Sequence, residues 1–226
     1  MMIAIPDVLS PDQVRQCRQV LDGAQWSDGR VTAGHVAAAA KKNLQLSADS
    51  KASIELGNFI LDVIGQHAGF VSAALPLKVL PPMFNCYRGG GTYGNHVDNA
   101  IRTVAGSAHR VRTDISCTLF LSDPQEYAGG ELVVQDTYGT RGVKLPAGHM
   151  VVYPGTSLHR VTPVTEGARF AAIFWVQSFV RSDAQRSILY ELDTAIQQLT
   201  QRSPDDPALV TLTGVYHNLL RQWADT

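Results

Sequence analysis

The sequence predicts a mainly β protein with flanking helices, in which a sandwich or barrel core is followed by a C-terminal helical subdomain. From about residue 77 to residue 178, short β-rich runs alternate with Gly, Pro, Asn and Asp clusters at the spacing of a sandwich or barrel. Before and after that stretch, apolar residues recur every three and four positions, the period of helices that bury one face. A length of 226 residues, 45% hydrophobic and 17% charged, suits one generous domain with a small appendage rather than two large domains.

The first segment, 1–76, reads as helical and β support. Ser10, Pro11 and Gln13 have the pattern of an N-cap, a first helical residue and a capping-box partner. Val14, Cys17 and Leu21 follow at helical spacing, and Gly23 ends the helix. A second helix is predicted from about 48 to 67, with Leu56, Ile60, Val63 and Ile64 as its apolar stripe. In the core segment, 77–180, strands are predicted at 83–87, 113–121, 131–135, 142–145, 149–153 and 169–177. The second of these is the most informative: Ile115, Cys117, Leu119 and Leu121 share one face, while Asp114, Ser116, Thr118 and Phe120 share the other. One face joins the core and the other is free to line a polar cavity. Gly129-Gly130-Glu131 reads as a tight turn before a strand, because no helix and Lys follow as a phosphate loop requires. In the last segment, 181–226, Ile188, Leu189, Leu192, Ile196 and Leu199 mark one helix. Ser203-Pro204 is expected to start another carrying Leu209, Leu212, Tyr216, Leu219 and Trp223. The pair reads as a packing element or a homo-oligomer contact.

Nineteen Lys and Arg against twenty Asp and Glu give a net charge of -1, which argues against a general nucleic-acid binder. Cys17, Cys86 and Cys117 contain no C-x-x-C pair and predict neither a disulfide framework nor a thiolate zinc site, so a reducing cytoplasm is expected. The opening MMIAIPDVLS lacks a basic region and breaks its apolar run at Pro6, and no stretch reaches bilayer-spanning length. A secretory signal and a membrane partner are therefore not expected.

The chemistry concentrates on His96-Val97-Asp98, just after a turn-rich run, with His159 sixty-one residues beyond Asp98. In an extended segment His96 and Asp98 project to the same side, and two imidazoles with one carboxylate can occupy one face of an octahedral metal while leaving the other open. A ligand set without thiolate suits iron(II), and catalytic zinc stays open as an alternative. Arg169 follows His159 by ten residues. It is either a guanidinium turned into the barrel, which needs an anion, or a surface residue opening a strand after the Glu166-Gly167 turn. Arg102, His109, Arg110 and Arg112 fall within residues 99–113 without an acid, as a solvated loop or as the mouth of a site for an anionic substrate. Trp175 either lines the same cavity or fills core. His35, His67, His109, His149 and His217 lack a partner ligand at short spacing and read as solvent-facing or locally hydrogen-bonded.

The order H-x-D, distal His, then a basic residue ten positions on resembles the iron(II)- and 2-oxoglutarate-dependent dioxygenases. Their core is a double-stranded β-helix, or jelly roll. The segments Y-R-G-G-G-T-Y-G-N-H-V-D-N, D-I-S-C-T-L-F-L-S, G-G-E-L, P-G-T-S-L-H-R-V and the early W-S-D-G-R-V-T-A-G resemble bacterial PKHD-type hydroxylases, a branch similar to prolyl 4-hydroxylases. The resemblance spans nearly the whole chain.

It implies that His96, Asp98 and His159 are the iron ligands and that Arg169 pairs with the distal carboxylate of 2-oxoglutarate, with Tyr87 as a wall of that pocket. Where some prolyl hydroxylases place a tyrosine this chain has Phe120, so the hydroxyl contact to the cosubstrate is either missing or supplied by Thr118. The implied reaction consumes 2-oxoglutarate and O2, releases succinate and CO2, hydroxylates a substrate and uses L-ascorbate as reductant. For the substrate the resemblance leaves two directions, a small molecule linked to iron uptake and a peptide side chain. The competing reading is a catalytically silent jelly-roll sensor or interaction module. A zinc hydrolase is disfavoured by the lack of a general-base Glu close to the H-x-D motif.

Overall fold

A computed structural model of the chain describes residues 1–32, 40–104, 106–136 and 139–225. Its elements run β1 (Ile3–Ile5), α1 (Pro11–Asp22), β2 (Trp26–Asp28), β3 (Lys41–Lys42), β4 (Leu44–Leu46), α2 (Lys51–Gln66), α3 (Ala68–Ala74), β5 (Pro76–Val79), β6 (Met83–Arg88) and β7 (Gly91–His96). They continue with β8 (Ile101–Thr103), β9 (Arg110–Arg112), β10 (Ile115–Phe120), β11 (Tyr127–Gly129), β12 (Leu132–Asp136), β13 (Gly139–Val143), β14 (Met150–Pro154), β15 (Leu158–Ser178), α4 (Asp183–Arg202) and α5 (Ala208–Trp223).

Antiparallel pairing builds two layers. The major layer has the order β1-β14-β10-β15-β6-β4-β2, with β5 beside the end of β15. In the minor layer the first half of β15 lies between β12 and β7, with β13, β3 and β11 outside or alongside them. A single strand therefore belongs to both layers and folds them into a jelly roll. The strand can do so because Gly167 adopts φ +67°, and a Cβ there would stand 2.0 Å from the Glu126 carbonyl oxygen.

The alternation of β10 sorts its residues as expected. Ile115, Cys117, Leu119 and Leu121 join Leu21, Ile60, Ile64 and Phe70 in a core between the major layer and the helices. Phe120 turns the other way, into an inner core with Tyr87, Tyr127, Val151, Tyr153 and Val161 between the layers. The capping box at Ser10 and Gln13 is present, and Val14, Cys17 and Leu21 are the buried face of α1.

Several boundaries differ from the sequence expectation. The helix predicted from 48 starts at Lys51, because the Ser50 side chain accepts from the Ser53 N–H and caps it there. Val63 is only partly buried in its stripe. The short helix α3 was not predicted; His67 caps it by accepting from the Phe70 N–H at 3.2 Å, a local role that suits the expectation for this histidine. Ser203 does not open the last helix. Its N–H closes α4 on the Leu199 carbonyl, and α5 begins at Ala208. The strand predicted from 169 begins at Leu158, since the Glu166-Gly167 turn signal is a bend within a strand and not its end. The last two helices pack through Tyr216, Leu219 and Trp223 onto Leu75, Val180 and Leu189. Among the described residues no helix is long and apolar enough to cross a membrane.

Candidate active site

His96 is the last residue of β7, and His159 is the second of β15. The pairing of these strands sets the two histidines directly opposite each other. Asp98 follows two residues after His96. One ligand atom from each of the three lies within 4.8 Å of those from the other two. Asp98 Oδ1 is 4.0 Å from His96 Nε2, and Oδ2 is 3.8 Å from His159 Nε2. The far nitrogens are occupied: His96 Nδ1 lies 2.8 Å from the Gly94 carbonyl oxygen and His159 Nδ1 3.0 Å from that of Ser157. Because a carbonyl only accepts, Nδ1 carries the proton in both rings and both Nε2 lone pairs face the carboxylate. Ser116 Oγ donates to Asp98 Oδ2 at 2.7 Å and orients it. Tyr93 stacks on His96 at 3.6 Å. Burial first, and His159 beside it second, push His96 down to about 4, which keeps the ring neutral and ready to ligate. Two neutral imidazoles and one carboxylate, with no thiolate, fit a divalent ion of the iron(II) type with open positions.

Arg169 lies on the inward face of β15 in the cleft that starts at these ligands. It is 2% exposed, its Nε has no hydrogen-bond partner, and among the described residues no acid pairs with it. Its guanidinium stands 5.1 Å from the Phe120 ring centroid and 5.4 Å from that of Tyr87. The surface alternative for this residue is thereby removed: a buried cation without an anion asks for one from outside. Tyr87 is buried, and loss of water pushes its phenol up to about 12, with Arg169 pulling the other way. Thr118 lines the same cleft and hydrogen-bonds the buried Tyr153 phenol, whose ionisation burial pushes well up. The cleft has a volume of about 60 Å³, space for roughly two water molecules at about 30 Å³ each.

Four residues of the site escaped the sequence reading as functional candidates. Ser116 was placed only on the polar face of its strand. Tyr153 turns inward by the parity of β14, the register pairing it with Ser116. Tyr127 lies beside Arg169, which partly offsets the rise that burial imposes on its phenol. Thus Tyr153 and Tyr127 bring phenols into a region where Phe120 has none. Lys41, 6% exposed, reaches the cleft because β3 pairs with β7 opposite Tyr93. Of the basic residues in 99–113, only Arg102 lines the cleft, while Arg112 is spent on Asp114 at 2.6 Å. Trp175 lines the cleft as well. His149 lies outside it, 3.6 Å from Asp7, and His35 and the last two residues of the W-S-D-G-R-V-T-A-G motif fall outside the described residues.

Residues 82–177 match the 2OG-Fe(II) oxygenase superfamily, and residues 183–225 match the PKHD-type hydroxylase C-terminal domain. The fold is shared with a prolyl-4-hydroxylase of Pseudomonas putida at TM-score 0.51 and 20% identity, over 78% of this chain and 92% of that one. It is also shared with a Trichoplax adhaerens prolyl hydroxylase in complex with a hypoxia inducible factor peptide fragment, at TM-score 0.55 and 17% identity, over 83% and 86%. By class the protein is a dioxygenase dependent on iron(II), 2-oxoglutarate and O2. A PKHD-type hydroxylase of Parvibaculum lavamentivorans is 62% identical over 226 residues, 100% of both chains. Another from Delftia acidovorans is 62% identical over 224 residues, 99% of both. The chain belongs to the PKHD-type hydroxylases.

Proposed function

We propose that the protein hydroxylates a C–H bond of an organic substrate while 2-oxoglutarate is converted to succinate and CO2, with L-ascorbate as the reductant that keeps iron ferrous. In this reading His96, Asp98 and His159 hold iron(II), and Arg169 receives the distal carboxylate of 2-oxoglutarate against the walls formed by Tyr87 and Thr118. The observation that carries it is the buried, acid-free guanidinium of Arg169 in the same cleft as the three converging ligand atoms. Bound iron and 2-oxoglutarate supply the oxygen-activating chemistry. The chain's own part is to orient. Gly94 and Ser157 fix the imidazoles, Ser116 fixes the carboxylate, and the aromatic rings around Arg169 exclude water.

The substrate is a small molecule or a peptide side chain, and the small-molecule case carries the proposed link to iron uptake. The three buried free cysteines support a cytoplasmic setting. The test is anaerobic iron titration, the absorbance of the iron–2-oxoglutarate complex, and succinate release on a screen of candidate substrates. Asp98→Ala is expected to lose iron affinity and all turnover, because two neutral imidazoles alone must then hold a dication. An Asp98→Ala protein that binds stoichiometric iron and decarboxylates 2-oxoglutarate at the parental rate would sink the ligand assignment. Iron and 2-oxoglutarate binding with no succinate from any condition would favour the silent module instead.

A further inference from the structure

The inner core between the two layers holds the phenols of Tyr87, Tyr127 and Tyr153, and Arg169 acts on all three. Their hydroxyls have different fates. That of Tyr153 is hydrogen-bonded to Thr118, and that of Tyr87 to Asn43. The Tyr127 hydroxyl is buried and has no hydrogen-bond partner among the described residues, and Arg169 Nε is in the same condition. The two groups are neighbours: the guanidinium works against the rise that burial imposes on the Tyr127 phenol, yet neither completes a hydrogen bond with the other. Buried polar groups left unpaired are rare because each has lost its water without a replacement. Two of them side by side point to an acceptor that comes from outside the chain.

The phenol is held at this place by its surroundings. β11 pairs with β15 so that Tyr127 lies opposite Gly167, two residues from Arg169. Gly130, the second glycine of the G-G-E-L segment, adopts φ +66°, and a Cβ there would stand 2.9 Å from Tyr127 Cε2 and 2.8 Å from Val164 Cγ2. This glycine therefore does more than turn the chain, because it leaves the space that the tyrosine ring occupies. Lys144 Nζ stands 4.0 Å from the centroid of the same ring and donates to the Tyr127 carbonyl oxygen at 2.7 Å. Ring and backbone are both fixed, and the hydroxyl is the one polar group of the residue left without a partner.

We propose that Tyr127 is a second cosubstrate-binding residue, whose hydroxyl donates to the distal carboxylate that Arg169 receives. This rests on the proposed function and deepens it. An ionised carboxylate offers about four lone-pair sites, enough to accept from the planar fork of Arg169 and from a phenol at once. A phenol also suits this position better than an acid, which would occupy the guanidinium in the empty protein and compete with the ligand. Phe120, whose ring also lies beside the guanidinium, has no hydroxyl to offer, and the Thr118 hydroxyl is engaged by Tyr153. Preference for a 2-oxo dicarboxylate over a 2-oxo monocarboxylate is thereby shared between two strands, β15 through Arg169 and β11 through Tyr127.

The test is a cycle of two proteins and two ligands on the anaerobic iron-loaded enzyme. Parent and Tyr127→Phe are each titrated with 2-oxoglutarate and with 2-oxopentanoate, which has the same chain length and no distal carboxylate, binding being read by calorimetry and by the absorbance of the complex. Tyr127→Phe is expected to weaken 2-oxoglutarate roughly tenfold while leaving the affinities for 2-oxopentanoate and iron unchanged. The Tm of the empty variant should not fall, because the hydroxyl removed has no partner there. Equal 2-oxoglutarate affinity in the two proteins, or an equal loss for both ligands, overturns the role of Tyr127. A clearly lowered Tm of the empty variant overturns it too, since the hydroxyl would then be a structural group of the folded chain. A parent that does not favour 2-oxoglutarate over 2-oxopentanoate, or that never forms the iron–2-oxoglutarate absorbance, overturns the proposed function itself, so the two failures are separable.

Discussion

Arg169 gives opposite answers to two questions, what it contributes to the empty protein and what it contributes to ligand binding. Without an anion it is a buried charge whose Nε lacks a partner, so an apolar residue of similar size should fit at little cost or with a gain in stability. With a carboxylate beside it, the same group offers two parallel charge-assisted donors. Arg169→Leu is therefore expected to leave Tm unreduced and iron affinity intact while weakening 2-oxoglutarate by about 30-fold or more, equivalent to roughly 2 to 5 kcal/mol. Arg169→Lys should restore only part, since an ammonium keeps the charge and loses the planar fork. Iron titration and the absorbance of the anaerobic complex read the two affinities separately. Unchanged 2-oxoglutarate affinity in Arg169→Leu would remove this residue from the site. At this scale the sequence was legible where the chemistry is local: His96 and Asp98 are two residues apart and carry ligand atoms. His159 and Arg169 were legible through their order and the family resemblance. Lys41 was not, because a two-residue strand paired with β7 brings it to the cleft, and no periodicity marks such a strand.

Among the elements, β15 does the most to assemble the site. It carries His159 in its minor-layer half and Arg169 in its major-layer half, and both must face inward. Strict alternation would keep them on one face, since they differ by an even number of residues, yet Val164, at the other parity, is also in the inner core. The facing therefore changes twice. The first change is the register shift against β7 between Val161 and Val164, and the second falls after Val164, where Gly167 lies in the left-handed region. The sequence made Glu166-Gly167 look like a strand start because glycine after a charged residue is a turn signal in isolation. Only the pairing of Tyr127 with Gly167 tells a bend inside a strand from its end. Gly167→Ala should cost at least about 1–2 kcal/mol for the left-handed backbone alone, with the clash against the Glu126 carbonyl adding to it. It should also turn Arg169 out of line, so that 2-oxoglutarate affinity falls more than iron affinity. Chemical denaturation and the same two titrations check this, and equal losses in the two affinities would mean that Gly167 matters only for stability.

For the whole molecule, the two cores divide the work. The inner core between the layers holds the cleft, while the core between the major layer and the helices holds Cys17, Cys86 and Cys117, each 1–2% exposed. The sequence excluded a disulfide framework from their number and spacing, and the alternation of β10 already turned Cys117 to the helix side. What it could not tell is that Cys17 on α1 and Cys86 on β6 meet the same core, because that depends on how helix and sheet dock. Burial pushes the thiols of Cys17 and Cys86 up to about 11 and that of Cys117 well above its ordinary value. Only the thiolate is nucleophilic, so at pH 8 roughly one in a thousand of the first two is reactive even when a reagent reaches it. Native protein is thus expected to label slowly with an aromatic disulfide reagent, at a rate set by opening of this core, and to give three equivalents once unfolded. The same shifts predict alkaline destabilisation. In the unfolded chain these thiols ionise near 9, whereas the folded protein retains their protons, so their contribution is fully present below about pH 9 and is lost as pH rises through about 11. Urea midpoints measured from pH 7 to pH 11 should fall along that limb in the parent and less steeply in Cys17→Ala/Cys86→Ala, after allowing for the cavity each substitution leaves. Fast labelling of all three thiols in native protein, or an alkaline limb of equal slope in the double variant, would show that the helices do not seal this face of the sheet.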